Sequence, residues 1–324
     1  MKEAEYYKKL ENQMVQCILC PHFCVIKPDE KGKCRSRQNV DGKLYATNFG
    51  NTMSISIDPM EKKPLYHFYP VSPILSLGPN SCNLSCQFCQ NYQSSQQTVP
   101  TRKIAPEEIV QICRKHNCNF VAFTYTEPFT WFEFVLDAAK VLQENNIKVV
   151  LVSNGFINQK PLLELLPHID ALNIDLKSMD DEFYKEICGG RLEPVLETIR
   201  TAADHCHVEV TNLLITDEND SEENIQKLTD FMASVNPEIP VHFSRYYPTY
   251  KMTNSATSIE ILERAKKIAE KKLSFVYLGN IMTDRTTYCP KCGVKLIDRS
   301  YATKCEIIKG KCPTCGKEIY GEFD

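Results

Sequence analysis

Sixteen cysteines stand in this chain of 324 residues, and eleven of them fall into three tight groups. Thiolates are soft ligands, and short spacings between them bring several sulfurs to one ion or cluster. A chain of this length needs no disulfides to hold a core. It opens on the charged segment MKEAEYYKKLENQ, which lacks the apolar stretch of an export signal. A reducing, cytoplasmic setting with metal-binding thiols is therefore expected. The first group is Cys17, Cys20, Cys24 and Cys34. Four thiolates can close a zinc site; an auxiliary iron–sulfur cluster is the rival, and His22 could compete as a ligand. The last group is Cys289-Pro-Lys-Cys292-Gly and Cys312-Pro-Thr-Cys315-Gly. Two such knuckles read as a zinc ribbon with a structural or docking role, a rubredoxin-like iron site being the alternative. Cys113, Cys118, Cys188, Cys206 and Cys305 read as small buried apolar residues.

The middle group, Cys82-Asn-Leu-Ser-Cys86-Gln-Phe-Cys89, has only three thiolates. They can hold three irons of a [4Fe–4S] cube and leave the fourth iron open to a substrate. A ferredoxin run would add a fourth cysteine and a following proline, and neither is present. Zinc is the alternative, but no histidine lies within twenty residues of Cys89 to complete such a site.

Such a loop needs a scaffold. Strand-like segments begin near Ile74, Phe120, Lys148, Ala171, His207, Pro240 and Ser274. Helical patterns such as Ala105–Lys115 and Thr257–Lys271 lie between them, the second with Ile259, Leu262 and Ile268 on its apolar face. This alternation predicts a parallel α/β sheet. Asn173, Asp175 and Lys177 share one strand face, Glu209 and Thr211 another, and His242 and Ser244 a third. These polar stripes predict a wet cavity inside a barrel. The net charge of −3 speaks against charge-driven nucleic-acid binding, and residues 284–324 carry only eight Lys or Arg against six Asp or Glu. No apolar run is long enough to span a bilayer.

The triad, with Phe88 before its last cysteine, resembles the signature of the radical S-adenosylmethionine (SAM) superfamily. Thr124-Tyr-Thr-Glu127-Pro resembles that family's Gly-Gly-Glu-Pro segment, although both glycines are replaced. Ser153-Asn154-Gly155 resembles its Thr-Asn-Gly turn, and Asp175-Leu-Lys177 resembles the Asp-Leu-Lys of pyruvate formate-lyase activating enzymes. The resemblance implies a [4Fe–4S] cluster whose open iron chelates SAM and whose electron cleaves it to methionine and a 5′-deoxyadenosyl radical. It also implies contacts to SAM from Glu127, Asn154, Asp175, Lys177 and His242, with Thr211 and Asn280 near its ribose and adenine. For each, a purely structural role is the alternative: a buried salt bridge for Glu127, an ion pair for Asp175 and Lys177.

The N-terminal cysteines, the segment Asp58–Phe68, the triad, His242-Phe-Ser-Arg245 and the C-terminal knuckles occur in the order of the radical SAM enzyme of the AmmeMemoRadiSam system. That resemblance implies Memo-type and AMMECR-type proteins as partners and a flavodoxin or ferredoxin as electron donor. The expected organisation is an N-terminal four-cysteine module (1–50), a connecting segment (51–73), a partial (β/α)6 barrel (74–283) and a zinc ribbon (284–324). Hydrogen abstraction, from a partner protein's backbone glycine as one target, is the first function expected. Adenosyl addition or rearrangement on a small molecule or nucleic acid, and a non-catalytic zinc scaffold, are the alternatives.

Overall fold

Chain order and spatial order coincide in the central sheet. In the computed structural model, which describes residues 1–300 and 304–323, the strands are β1 (Ser54–Pro59), β2 (Pro73–Gly78), β3 (Phe120–Phe123), β4 (Lys148–Ser153), β5 (Ala171–Asp175), β6 (His207–Leu214), β7 (Val241–Arg245) and β8 (Val276–Gly279). They lie side by side from β1 to β8. The β1–β2 pair is antiparallel and the other six pairs are parallel. β1 and β8 do not pair, so the sheet stays open.

Each parallel step crosses over through a helix: α1 (Pro106–Lys115), α2 (Phe132–Glu144), α3 (Gln159–Leu165), α4 (Glu193–Ala203), α5 (Glu222–Val235) and α6 (Ile259–Ala269). Six crossovers thus link seven parallel strands, one strand more than six β/α units supply. The segment expected only to connect, 51–73, contributes the antiparallel edge strand.

Local chemistry explains these elements. All four residues of β3 are buried, as strands covered on both faces require. Pro106 opens α1, followed by Glu107 and Glu108. Ser221 and Ser258 cap α5 and α6 by accepting from the amides of Asn224 and Ile261. The stripe that α6 buries is Leu262, Ala265 and Ala269. Ile259, the first residue of the helix, is instead exposed.

The cysteine-rich ends are small β modules. Tyr7–Lys9, Val15–Cys17 and Val25–Ile26 form one antiparallel sheet near the N-terminus; Thr287–Tyr288, Lys295–Asp298 and Lys304–Cys305 form another near the C-terminus. A second small N-terminal sheet, of Lys2–Glu3, Lys43–Ala46 and Arg37–Val40, is locked to the barrel by a buried ion pair: Arg37 Nη1 donates to Glu133 Oε1 of α2 at 2.6 Å, both side chains being about 2 % exposed or less. Arg37 Nε and Nη2 and Glu133 Oε2 have no hydrogen-bond partner. Glu133→Ala leaves the guanidinium buried and unpaired, which should cost about 3–5 kcal/mol. Chemical denaturation of the two proteins measures this. A loss below about 1 kcal/mol, the range of exposed pairs, would show the pair contributes little.

The polar stripes do not line one wet cavity throughout. In the lower half of the barrel, the segment after β1 fills the interior with Leu65, His67 and Phe68, all fully buried. Asn173 Nδ2 donates to Pro64 O at 2.8 Å, and Thr211 Oγ1 to Asn173 Oδ1 at 3.0 Å. The Glu209 carboxylate accepts from the His67 amide at 2.7 Å and pairs with His207 at 3.1 Å and His242 at 2.6 Å. His67 also faces Tyr320 O and Tyr277 OH, each at 2.7 Å. The interior is polar because a loop is hydrogen-bonded inside it, and only the upper half is open.

Candidate functional site

The open half is a single cavity at the carboxyl ends of the strands, where open α/β sheets place their ligands. Its volume is about 450 Å³. Its lining includes Cys82, Cys86, Cys89, Glu127, Asn154, Asp175, Lys177, Thr211 and Asn280. Residues after β2 and residues after β8 line the same space, so the open sheet curls far enough to face itself.

The triad follows β2 directly. Its loop is held by backbone bonds from Ser85 N to Cys188 O (2.8 Å) and from Gln87 N to Ile187 O (3.0 Å). Asn154 Nδ2 reaches Cys82 Sγ at 3.7 Å and Asn83 Oδ1 at 2.9 Å. Ser95 Oγ lies 3.2 Å from Cys89 Sγ. Cys188, expected to be a bystander, is fully buried, and its thiol interacts with that of Cys86.

Glu127 is fully buried at the end of β3 and is not part of a salt bridge. Its Oε1 accepts from Phe129 N (2.9 Å) and Ser153 Oγ (2.8 Å), and its Oε2 from Asn154 N (2.8 Å). It therefore braces the Ser153–Gly155 turn as well as facing the cavity. Burial pushes its carboxyl up to about 7 against those three bonds. Asp175 and Lys177 pair with each other, Nζ to Oδ2 at 2.9 Å. Burial works against the Lys177 ammonium, but the Asp175 carboxylate together with the sulfurs of Cys86 and Cys188 outweighs it and holds the lysine charged.

His242 is the exception among the expected contacts. It lies one layer below Ser244 on β7, buried against Tyr66 and Tyr277 and bonded to Glu209. It does not line the cavity, because side chains two residues apart on a strand share a face at different depths. Ser244 stands in its place in the lining.

Sequence reasoning also passed over Tyr125 and the lysines of the plug. Lys62 and Lys63 line the cavity and bind the two oxygens of Asp58 at 2.8 and 2.7 Å. Tyr125 OH donates to Asp58 Oδ2 at 3.0 Å. Tyr125 stands where the resembled motif has its first glycine, and it keeps a left-handed backbone, φ 71°. The signal was present in the sequence as a motif departure: the side chain is gained while the turn is kept.

The C-terminal sulfurs converge. Cys289, Cys292, Cys312 and Cys315 place their ligand atoms within 4.8 Å of one another, with Cys289–Cys315 at 3.6 Å and Cys292–Cys312 at 3.7 Å. Each knuckle closes on a glycine with positive φ, Gly293 and Gly316, whose amides return to Cys289 O and Cys312 O. Among the described residues no three of the N-terminal cysteines, and not the triad, come together so closely. The N-terminal cysteines share a hollow.

The triad suits the [4Fe–4S] group that its spacing suggests. Three sulfurs face one cavity, stand wider than ligands of one ion, and leave the Asp175–Lys177 pair, Asn154 and Glu127 around the remaining space. Comparison with known proteins agrees. Residues 78–232 match the pattern of the Radical SAM superfamily. An uncharacterized protein of Methanocaldococcus jannaschii is 42% identical over 98% of this chain and 99% of its own length. The pyruvate formate-lyase-activating enzyme of Clostridium pasteurianum is 24% identical over 59% of this chain and 84% of its own. A radical SAM methyltransferase from Sphaerobacter thermophilus shares the fold, with a TM-score of 0.54, 16% identity and coverage of 70% of this chain and 71% of that one. The matched span begins at the end of β2, contains the triad, Glu127, Asn154 and the Asp175–Lys177 pair, and so covers the part of the cavity richest in chemistry: the chain belongs to the radical SAM superfamily of enzymes.

Proposed function

We propose that this enzyme cleaves SAM reductively to methionine and a 5′-deoxyadenosyl radical, and that the radical abstracts hydrogen from a substrate as in glycyl-radical activating enzymes. A cluster on Cys82, Cys86 and Cys89, when bound, supplies the electron and an iron that chelates the amino and carboxylate groups of SAM. The chain's own residues do the positioning. Lys177, held charged, attracts the carboxylate; Asp175 and Glu127 offer acceptors to the ammonium. Asn154 braces the Cys82 thiolate, and Thr211, Ser244 and Asn280 are the polar lining on the ribose and adenine side. Fixing sulfur beside the electron source turns an encounter into a positioned, unimolecular step. The gathering of these residues with the triad in one cavity at the strand ends carries the reading.

In this proposal the C-terminal cysteines hold zinc in a structural ribbon, since four thiolates at single-ion distances leave no open position. A flavodoxin or ferredoxin donor and Memo-type and AMMECR-type partners complete the proposed setting. Among the described residues no helix is long and apolar enough to cross a membrane. The test is anaerobic incubation of the reconstituted protein with SAM and dithionite. Free 5′-deoxyadenosine is the expected product; an adenosylated product would replace abstraction by addition. Intact SAM beside a fully loaded cluster would overturn the reading.

A further inference from the structure

Cys17, Cys20, Cys24 and Cys34 share one hollow, and its walls also include Arg37 and Asn83. We propose that these four cysteines bind a second [4Fe–4S] cluster beside the first. The inference does not depend on the reaction proposed above.

Two observations carry it. The first is the spread of the sulfurs. A single tetrahedral ion with sulfur ligands at about 2.3 Å draws them to roughly 3.8 Å from one another. The C-terminal group shows that contraction, at 3.6 and 3.7 Å. In the N-terminal hollow no three sulfurs fall within 4.8 Å of one another, and the triad behaves the same way. Within one chain, the cysteine sets thus divide into one at single-ion spacing and two that are wider. A cube places an iron at each of four corners and carries each thiolate outward on its own iron, so wide spacing is what it needs.

The second is Arg37. Its side chain is 2 % exposed, and its Nε and Nη2 hydrogens have no acceptor. Buried guanidinium donors are seldom left unpaired, since each orphan costs about 1–3 kcal/mol. Glu133 takes only Nη1. The rest of the fork belongs to the wall of the hollow, where sulfur-rich anionic ligands accept such hydrogens and need the compensating charge. Gly32 keeps the opposite wall thin: a Cβ there would lie 3.7 Å from Cys24 Sγ and 3.2 Å from Ile26. Asn83 links this hollow to the cavity. Its carbonyl contacts His22 Nε2 at 2.7 Å on one side, and its side chain holds Asn154, which contacts Cys82, on the other.

Metal content decides the matter. The full chain, purified and reconstituted without oxygen, should hold about eight irons and about one zinc. A variant with Cys82, Cys86 and Cys89 all replaced by alanine should keep about four irons, and Mössbauer spectra should show a single [4Fe–4S] species. Cys20→Ala/Cys34→Ala should lose that species and keep the other. Two zincs and about four irons in the unaltered chain would assign zinc to the N-terminal cysteines and overturn the proposal. About four irons with one zinc would overturn it as well, and neither count depends on a variant folding. A triad variant without iron would do the same.

Discussion

Replacing Cys86 by alanine is expected to drop SAM cleavage to the uncatalysed background. Two thiolates would hold only two irons of a cube, so the cluster would lose one of its three anchors. The buried Cys188 thiol, which interacts with that of Cys86, makes this sharper than a routine ligand deletion. If the triad alone ligates, Cys188→Ala keeps its cluster and its rate, because a buried cysteine trimmed to alanine loses only a small packing contribution. If Cys188 can slide in as a substitute, Cys86→Ala retains iron and cleavage, and only the double variant is dead. Iron content, the visible absorption of the cluster and the yield of 5′-deoxyadenosine separate the two outcomes. The melting temperature of the metal-free proteins controls for misfolding.

Acidification should weaken the barrel floor well before carboxylates titrate. His67 is fully buried, with Nδ1 facing a carbonyl and Nε2 facing Tyr277 OH. The carbonyl can only accept, so Nδ1 carries the hydrogen and Nε2 accepts from Tyr277. Tyr277 OH is in turn 2.7 Å from Thr287 Oγ1. A second proton on His67 would point at the tyrosine hydrogen and force the chain to turn over. Burial accordingly pushes the His67 pKa down to about 3. In the unfolded chain it returns to about 6.5, so between these values the unfolded state binds the extra proton. Stability is complete above about 6.5 and falls as pH drops toward 3; between pH 7.5 and 5.0 the loss from this residue is about 2 kcal/mol. Burial raises the Glu209 carboxyl, but hydrogen bonds from His207 and His242 outweigh it and hold the group below its usual range. Its contribution disappears only at lower pH, below about 4.3. Urea midpoints at the two pH values, read from the buried Trp131, test this on one metal-loaded preparation. His67→Asn should flatten the slope; an unchanged slope would assign the proton elsewhere.

Much of this was legible because the chemistry is local. The C-x3-C-x2-C loop, the Asp175–Lys177 pair and the knuckles are short-range patterns; the fold brings the loop and the pair to one cavity and the four knuckle sulfurs together. The seven strand starts were within two residues of those observed, since apolar runs alternate with amphipathic helices. What failed was long-range. Nothing around Asp58–Phe68 announces that it threads the barrel, because its partners, Glu209, Asn173 and Tyr320, lie far away in sequence. His242 was misplaced for the same reason: alternation gives a face, and depth along the strand depends on what fills the layer beneath. The N-terminal spacing allowed both zinc and a cluster, and the spread of the sulfurs became visible only once the chain was folded.

The floor of the barrel has a consequence for the order of events at the ribosome. His67 bonds to Tyr320, 253 positions later, and Glu322 meets both His67 and Tyr69 through the backbone. At roughly 5–20 residues per second, these strands wait on the order of ten seconds or more for the segment that seals them. Through that interval the nascent strands can pair in sequence, each with the one made just before it, while Glu209 and its histidines still face water. Closure of the interior is therefore a late act of synthesis, and truncations that spare every residue of the cavity should still leave it without a base.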